Sequence, residues 1–103
     1  MEASAQEHVN IVGIDKKEDR VVAFGTILIC NGPFGRVGKI ENIVTCKSVR
    51  GKGLGKCIID LLKWLGWDRQ CDQITLFCED KNVKFYNKLG FESKGTIYVA
   101  YKI

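Results

Sequence analysis

A short stretch of glycine and basic residues near the middle of the chain has the composition of an anion-binding loop. Glycine lets the backbone turn tightly, and the first turn of a following helix offers unpaired N–H groups and the positive end of its dipole. Three basic side chains add positive charge. The stretch therefore predicts a pyrophosphate site, formed by Arg50, Gly51, Lys52, Gly53, Leu54, Gly55 and Lys56.

The spacing of the glycines separates this loop from two common phosphate-binding motifs. A nucleoside-triphosphate loop ends in Gly-Lys-Ser/Thr, whereas Lys56 is followed by Cys57. A dinucleotide loop needs Gly-x-Gly-x-x-Gly, and Lys56 stands where its third glycine belongs. The pattern that fits is Arg-x-x-Gly-x-Gly, from Arg50, Gly53 and Gly55. The alternative is a glycine-rich turn that only begins a helix.

The composition predicts one small globular domain. The 103 residues carry a net charge of +4, and no apolar run approaches the ~20 residues that cross a bilayer. Five cysteines occur without a Cys-x-x-Cys pair, and His8 is the one histidine, which argues against disulfides, a zinc site and a cysteine nucleophile. The scattered basic residues argue against nucleic-acid binding. We expect a cytoplasmic protein with a polar tail (1–8), one domain (9–103) and no metal.

The apolar patterns predict an α/β sandwich with a mixed sheet. Leucines and isoleucines at helical spacing predict a helix from Leu54 to Leu65, ended by Gly66. Asn82 is a candidate cap for a second helix through Leu89. A charged turn separates the first two strands, at residues 15–20. Strands are expected at residues 9–14, 21–30, 36–46, 73–78, 91–94 and 97–103, the last two forming one or two strands.

The second helix carries a motif that makes the glycine loop more specific. Residues 80–91 read DKNVKFYNKLGF, which resembles the GNAT segment where an Asn opens a short helix and a Tyr lies one turn later, before Gly-Phe. With the glycine loop and residues 40–43 (IENI), the chain is most similar to glucosamine 6-phosphate N-acetyltransferases within the GNAT superfamily. This resemblance implies a mixed, mostly antiparallel sheet flanked by helices.

The resemblance also implies how acetyl-CoA, the co-substrate, is bound. In this family the strand before the glycine loop splays from its neighbour and offers backbone groups to the pantetheine arm. Residues 50–56 would hold the pyrophosphate. The remaining coenzyme contacts implied by the resemblance are Ile43, Val44, Thr45, Asn82, Tyr86 and Lys88.

Two side chains are assigned chemistry on the same basis. Tyr86 would donate a proton to the departing thiolate, which suits a phenol with a pKa of about 10 opposite a thiol near 8.5. Glu41 would orient or deprotonate the acceptor amine, directly or through water. The amine would attack the thioester directly, with the oxyanion held by backbone N–H groups of the splayed strand. The alternatives are a half-buried packing residue for Tyr86 and a solvated carboxylate for Glu41.

The acceptor side of the site departs from the family pattern. Asn42 stands where an Asp is usual, Gln73 where a Lys is typical, Phe77 where a carboxylate helps position the amine, and Tyr101 where an Arg meets the sugar phosphate. The family also begins with a further strand and two helices, so we expect an N-terminally shortened fold with one sheet face or edge uncovered. A homodimer would cover it.

The residues leave three functions open. The first is transfer of acetyl to glucosamine 6-phosphate, in the synthesis of UDP-N-acetylglucosamine. The second is acetyl transfer to a different amine. The third is a truncated module that binds CoA or dimerises without turnover.

Overall fold

A six-stranded mixed sheet forms the centre of the fold. The structure, a computed structural model, describes residues 6–33, 35–94 and 97–101, with side chains for 6–33 and 35–92. The spatial order is β1-β2-β3-β4-β6-β5, antiparallel throughout except for the β3–β4 pair. The strands are β1 (Gln6–Asp15), β2 (Arg20–Gly32), β3 (Gly35–Thr45), β4 (Gln73–Leu76), β5 (Glu92–Lys94) and β6 (Ile97–Tyr101). The predicted mixed, mostly antiparallel sheet is confirmed.

The first hairpin is longer than the sequence pattern predicts. β1 begins at Gln6, which pairs with Cys30, and His8 pairs with Leu28. Residues 6–8 are therefore strand, although their polarity predicted a tail. The reason is their place in the ladder: a polar strand end still gains its backbone hydrogen bonds when a long partner strand lies beside it. Asp15 and Arg20 likewise belong to strands, so the charged turn is shorter than predicted.

Helix α1 (Leu54–Asp68) packs its apolar stripe on one face of the sheet. Ile58, Ile59 and Leu62 are fully or almost fully buried. Gly66 was expected to end this helix, and that expectation is wrong. A Cβ at Gly66 would lie 2.4 Å from Ile74 Cδ1 in β4, so this glycine lets the helix approach the sheet.

Helix α2 (Val83–Lys88) is short and follows a 3₁₀ turn, Asp80–Asn82. Asn82 occupies the N-cap position of α2, as predicted, but it makes no side-chain capping hydrogen bond. The preceding 3₁₀ turn already gives Asn82 a turn-like backbone. Gly90, at φ 92°, has the left-handed backbone predicted for the end of this helix.

Both helices pack on the same face of the sheet. A single core contains Ile58 and Leu62 of α1 together with Leu89 and Phe91, which follow α2. Lys63 strengthens this junction by donating a hydrogen bond to the Leu89 carbonyl oxygen. Its ammonium also lies 5.2 Å from the centre of the Phe91 ring. Burial lowers the pKa of Lys63.

The opposite sheet face has no helix packed on it in the described part of the chain. Asn10 and Val12 of β1 and Lys39 and Glu41 of β3 are exposed there. The expectation of an uncovered face stays a prediction. Within residues 6–33, 35–94 and 97–101, neither helix has the length and apolar character needed to cross a membrane.

Candidate active site

A gap opens where β3 and β4 separate. The two strands pair only from Val37 with Gln73 to Lys39 with Thr75. β4 then ends at Leu76, two residues before its predicted end at Cys78, whereas β3 continues to Thr45. The edge of β3 beyond Lys39 therefore faces a space without a neighbouring β4 strand. Its backbone groups there are available to a ligand.

A β-bulge shapes the β3 side of this gap. Thr26 pairs with Glu41 and Phe24 with Val44, so β3 has one residue more than β2 in this interval. The extra residue puts Asn42 at φ 58°, a left-handed conformation that Asn tolerates better than most residues. Beyond this extra residue Ile43 packs against the core, whereas Glu41, which precedes it, is exposed by the ordinary alternation of the strand.

A cavity of about 360 Å³ lies in this gap. Residues 40–43 of β3 line one side, and residues 76–79 line the other. Asn82 and Tyr86, from the α2 region, complete the wall. The cavity thus brings together a carboxylate, a phenol and an open strand edge.

Tyr86 sits in an aromatic cluster at this cavity. Its ring packs edge-on against Phe85 at 5.0 Å and against Phe91 at 5.9 Å between centroids. Burial raises the pKa of Tyr86 above 10.0, and the nearby Cys78 thiol raises it further. The phenol is therefore protonated at neutral pH and can act as a proton donor.

The glycine loop has the backbone of an anion site. Gly51 and Gly53 have φ of 83° and 78°, and no atom lies within 4 Å of a Cβ added at either position. These glycines are thus needed for their conformation and not for space. Gly53 is the N-cap of α1 and makes no side-chain capping hydrogen bond. The N–H of Cys57 donates a hydrogen bond of 3.1 Å to the Gly53 carbonyl oxygen, which is the first backbone bond of the helix. The preceding N–H groups of the helix remain available to an anion.

A second cavity, of about 300 Å³, lies over this loop. Phe85 forms its wall on the α2 side, and the next residue, Tyr86, lines the first cavity. On the β3 side, Thr45 lines the second cavity and Ile43, two residues earlier, lines the first. Lys56 lines the cavity, but its ammonium hydrogen-bonds Asp60 at 2.7 Å, which raises the pKa of Lys56. The remaining lining residues are Val49, Arg50, Gly51, Gly53, Leu54 and Gly55.

Most of the residues that the sequence predicted to act in the site line one of the two cavities. Glu41, Asn42, Ile43, Phe77, Asn82 and Tyr86 line the first, whereas Thr45 and all of residues 50–56 except Lys52 line the second. Val44 lines a separate apolar hollow beside Val21. Lys52, Lys88 and Gln73 line neither cavity. The backbone of Tyr101 pairs with Gln73, and its side chain lies outside the described ones. The roles assigned to all these residues stay predictions.

Four cavity residues with side chains suited to contact a ligand were missed in the sequence. Cys78 and Glu79 belong to the first cavity, and Val49 and Phe85 to the second. The carboxylate of Glu79 lies two residues after Phe77, a spacing that returns a side chain to the same side of extended chain. That spacing was the one sequence signal that could have identified Glu79 as a cavity residue. Among the described side chains, no three His, Cys, Asp or Glu groups converge on a possible metal position; the expectation of metal-free chemistry stays a prediction.

Comparison with known families agrees with this geometry. The model of the Acetyltransferase (GNAT) family matches residues 2–91, which is most of the chain. This chain belongs to the GNAT family. The open β3 edge, the glycine loop and Tyr86 all lie within the residues that the family model matches.

Curated relatives of this GNAT chain include several sugar-phosphate acetyltransferases. Glucosamine 6-phosphate N-acetyltransferase 1 of Dictyostelium discoideum is 40% identical over 92 residues, covering 82% of this chain and 56% of the relative. Glucosamine 6-phosphate N-acetyltransferase 1 of Oryza sativa subsp. japonica is 30% identical over 99 residues, covering 89% and 58%. The GNAT chain thus spans somewhat more than half the length of these relatives.

Solved structures confirm the GNAT fold. The crystal structure of glucosamine-6-phosphate N-acetyltransferase from Arabidopsis thaliana superposes with a TM-score of 0.83 at 30% identity, covering 85% of this chain and 62% of that one. An acetyltransferase from Bacillus cereus reaches a TM-score of 0.82 at 18% identity, covering 94% and 74%, and supports the fold alone.

Proposed function

We propose that this GNAT chain is an acetyl-CoA-dependent N-acetyltransferase whose acceptor is the amine of glucosamine 6-phosphate. One observation carries the proposal: Glu41 and Tyr86 line the same cavity beside an open strand edge. The names of the curated relatives supply the acceptor. We further propose a cytoplasmic homodimer that acts in the synthesis of UDP-N-acetylglucosamine.

The glycine loop fits the phosphate-bearing part of the coenzyme. Its positive-φ glycines and uncapped helix terminus offer N–H groups to a pyrophosphate, and Arg50 adds a charged donor. Thr45 and Phe85 continue the wall toward the first cavity. We infer that the pantetheine arm runs along residues 43–45 and brings the thioester between Glu41 and Tyr86.

Three groups of this chain would perform the transfer. Glu41 orients the acceptor amine and accepts its proton, directly or through water. Backbone N–H groups at the open edge of β3 stabilise negative charge that develops on the carbonyl oxygen of the thioester. Tyr86 donates its phenolic proton to the leaving thiolate. Burial of its ring raises the pKa of Tyr86, so the phenol carries this proton until the thiolate leaves.

A second candidate function is CoA binding without turnover. The supporting observation is the lining of the first cavity, where Phe77 replaces the expected carboxylate. Loss of one carboxylate removes a charged hydrogen-bond acceptor for an ammonium, an interaction of about 1.5–3 kcal/mol. Glu79, which also lines the cavity, provides another carboxylate nearby.

Thiol release from acetyl-CoA tests these candidates. The chain is assayed with glucosamine 6-phosphate, with glucosamine and without acceptor, and CoA binding is measured in parallel by calorimetry. The proposed function predicts release that depends on an amino sugar and is faster with the phosphorylated one. CoA binding without release from either sugar would favour the second candidate and contradict the first. Equal release with and without the sugars would indicate hydrolysis of the thioester.

A further inference from the structure

Phe77 is an aromatic side chain that the fold leaves in solvent. It is 70% exposed, the largest exposed fraction among the large apolar side chains of residues 6–33 and 35–92. The preceding Leu76, the last residue of β4, is buried, and the change from buried to exposed follows the alternation of extended chain. Phe77 nevertheless lines the first cavity.

Glu41 lines the other side of this cavity. Lys39 and Thr75 form the last β3–β4 pair, and Glu41 and Phe77 each lie two residues further along. A two-residue step along extended chain returns a side chain to the same face, and both Phe77 and Glu41 line the first cavity. No described side chain forms an ion pair with the Glu41 carboxylate. An unpaired carboxylate and an exposed aromatic ring therefore line the same cavity.

This juxtaposition suits an amine carried on a ring. We infer that Phe77 determines acceptor specificity, with its ring covering the apolar C–H face of an amino sugar whose amine lies at Glu41. The inference rests on the proposed function and deepens it. Covering an aromatic ring with an apolar surface is favourable because both surfaces leave water, and a saturated sugar ring offers such a surface. An acyclic amine of similar charge covers less of the Phe77 ring.

A comparison of two acceptors distinguishes a role of Phe77 in specificity from a general effect on the site. Glucosamine 6-phosphate carries the ring, whereas phosphoethanolamine is a phosphorylated amine without one. Phe77→Ala should lower kcat/KM for glucosamine 6-phosphate by about tenfold, and the ratio of the two acceptors by nearly as much. The KM for acetyl-CoA should be unchanged. Phe77→Tyr keeps the aromatic face and should retain the selectivity for the ring.

Trp64→Ala is the matched control. Trp64 is 59% exposed on α1, lines neither cavity and should leave the acceptor ratio unchanged. An equal loss with both acceptors, or no loss in Phe77→Ala, would overturn the inference.

The outcome for Phe77 can be distinguished from failure of the proposed function. If the parent chain releases no thiol with any amino sugar, the proposed function fails. Binding of glucosamine 6-phosphate to the CoA-loaded parent and to Phe77→Ala, measured by calorimetry, then tests the subsite alone. About tenfold weaker binding in the variant would support the role of Phe77. Equal binding, or no binding to the parent, would overturn it.

Discussion

The chemistry proposed for Tyr86 depends on the residues that bury it. Phe85 and Phe91 pack against its ring, and Cys78 lies close enough to affect its titration. Both effects favour the protonated phenol. Glu41 has the opposite environment, since the alternation of β3 leaves it exposed. One group is thus suited to keep a proton and the other to interact with a charged amine from solvent.

We predict that Tyr86→Phe lowers kcat by about 100-fold, the usual contribution of a general acid, with little change in the KM for acetyl-CoA. Because burial raises the pKa of Tyr86 above the usual value for a tyrosine, the alkaline fall in kcat of the parent, where the phenol loses its proton, should lie at higher pH than the titration of a free tyrosine. The variant should lack that fall. Thiol-release rates between pH 7 and pH 11 measure both effects.

The double variant Phe85→Tyr/Tyr86→Phe is the control for this prediction. It moves the phenol by one residue and faces it toward the second cavity, so activity should stay low. A parent-like kcat in Tyr86→Phe would remove Tyr86 from the mechanism.

We predict that Arg50→Ala weakens CoA binding by about 10- to 100-fold, because a charge-assisted hydrogen bond to phosphate is worth about 1.5–3 kcal/mol. Binding of pantetheine, which lacks the pyrophosphate, should not change. Calorimetry with both ligands measures the difference. Lys17→Ala, which removes the same charge in the β1–β2 turn, is the control. Similar losses for CoA and pantetheine would argue against a pyrophosphate contact at Arg50.

At the scale of elements, the site depends on how closely α1 approaches the sheet. A Cβ on Gly25 of β2 would lie 2.6 Å from Ile58 Cγ2, and one on Gly66 would lie 2.4 Å from Ile74 Cδ1. The two glycines thus hold α1 against β2 and β4. This packing fixes the N-terminus of α1, and with it the glycine loop, relative to the gap beside β3. The separation of β3 and β4 then creates the cavity.

We predict that Gly66→Ala destabilises the fold by about 1–3 kcal/mol, although alanine favours helix more than glycine does. The added methyl group meets Ile74, which is fully buried. Urea unfolding measures the loss. The double variant Gly66→Ala/Ile74→Val removes the opposing methyl group and should recover part of it. An increase in stability in the single variant would mean that helix propensity outweighs packing at this position.

At the scale of the whole molecule, one layer of helices covers one face of the sheet. β1 lies at the sheet edge, is 10 residues long and exposes Val12 and Ile14. A long edge strand with exposed apolar side chains favours pairing with another chain. The homodimer expected from the sequence remains a prediction, and among the described strands β1 offers an edge suited to it.

We predict that the chain self-associates and that Val12→Lys shifts it toward monomer, because lysine on an edge strand opposes pairing. Light scattering coupled to size-exclusion chromatography measures the mass. Leu61→Lys places the same charge at an exposed apolar position of α1 and should not change it. A monomeric parent, or an unchanged mass in Val12→Lys, would contradict the prediction.

The sequence by itself determined the elements and the family. Hydrophobic periodicity is a local property, so it predicted the strands, α1 and the class of sheet. The glycine loop and the Asn-to-Tyr segment carried their chemistry in short, contiguous motifs. Their spacing alone carries the GNAT resemblance, without any tertiary contact.

Only the tertiary structure decided the role of Gly66 and the composition of the cavities. A glycine at the end of an apolar run indicates a helix end by local rules, whereas the contact with Ile74 joins residues distant in sequence. The end of β4 at Leu76 is likewise a matter of pairing, and it places Phe77, Cys78 and Glu79 in the cavity wall. Strand pairing and helix packing depend on long-range contacts, which no local pattern of residues encodes.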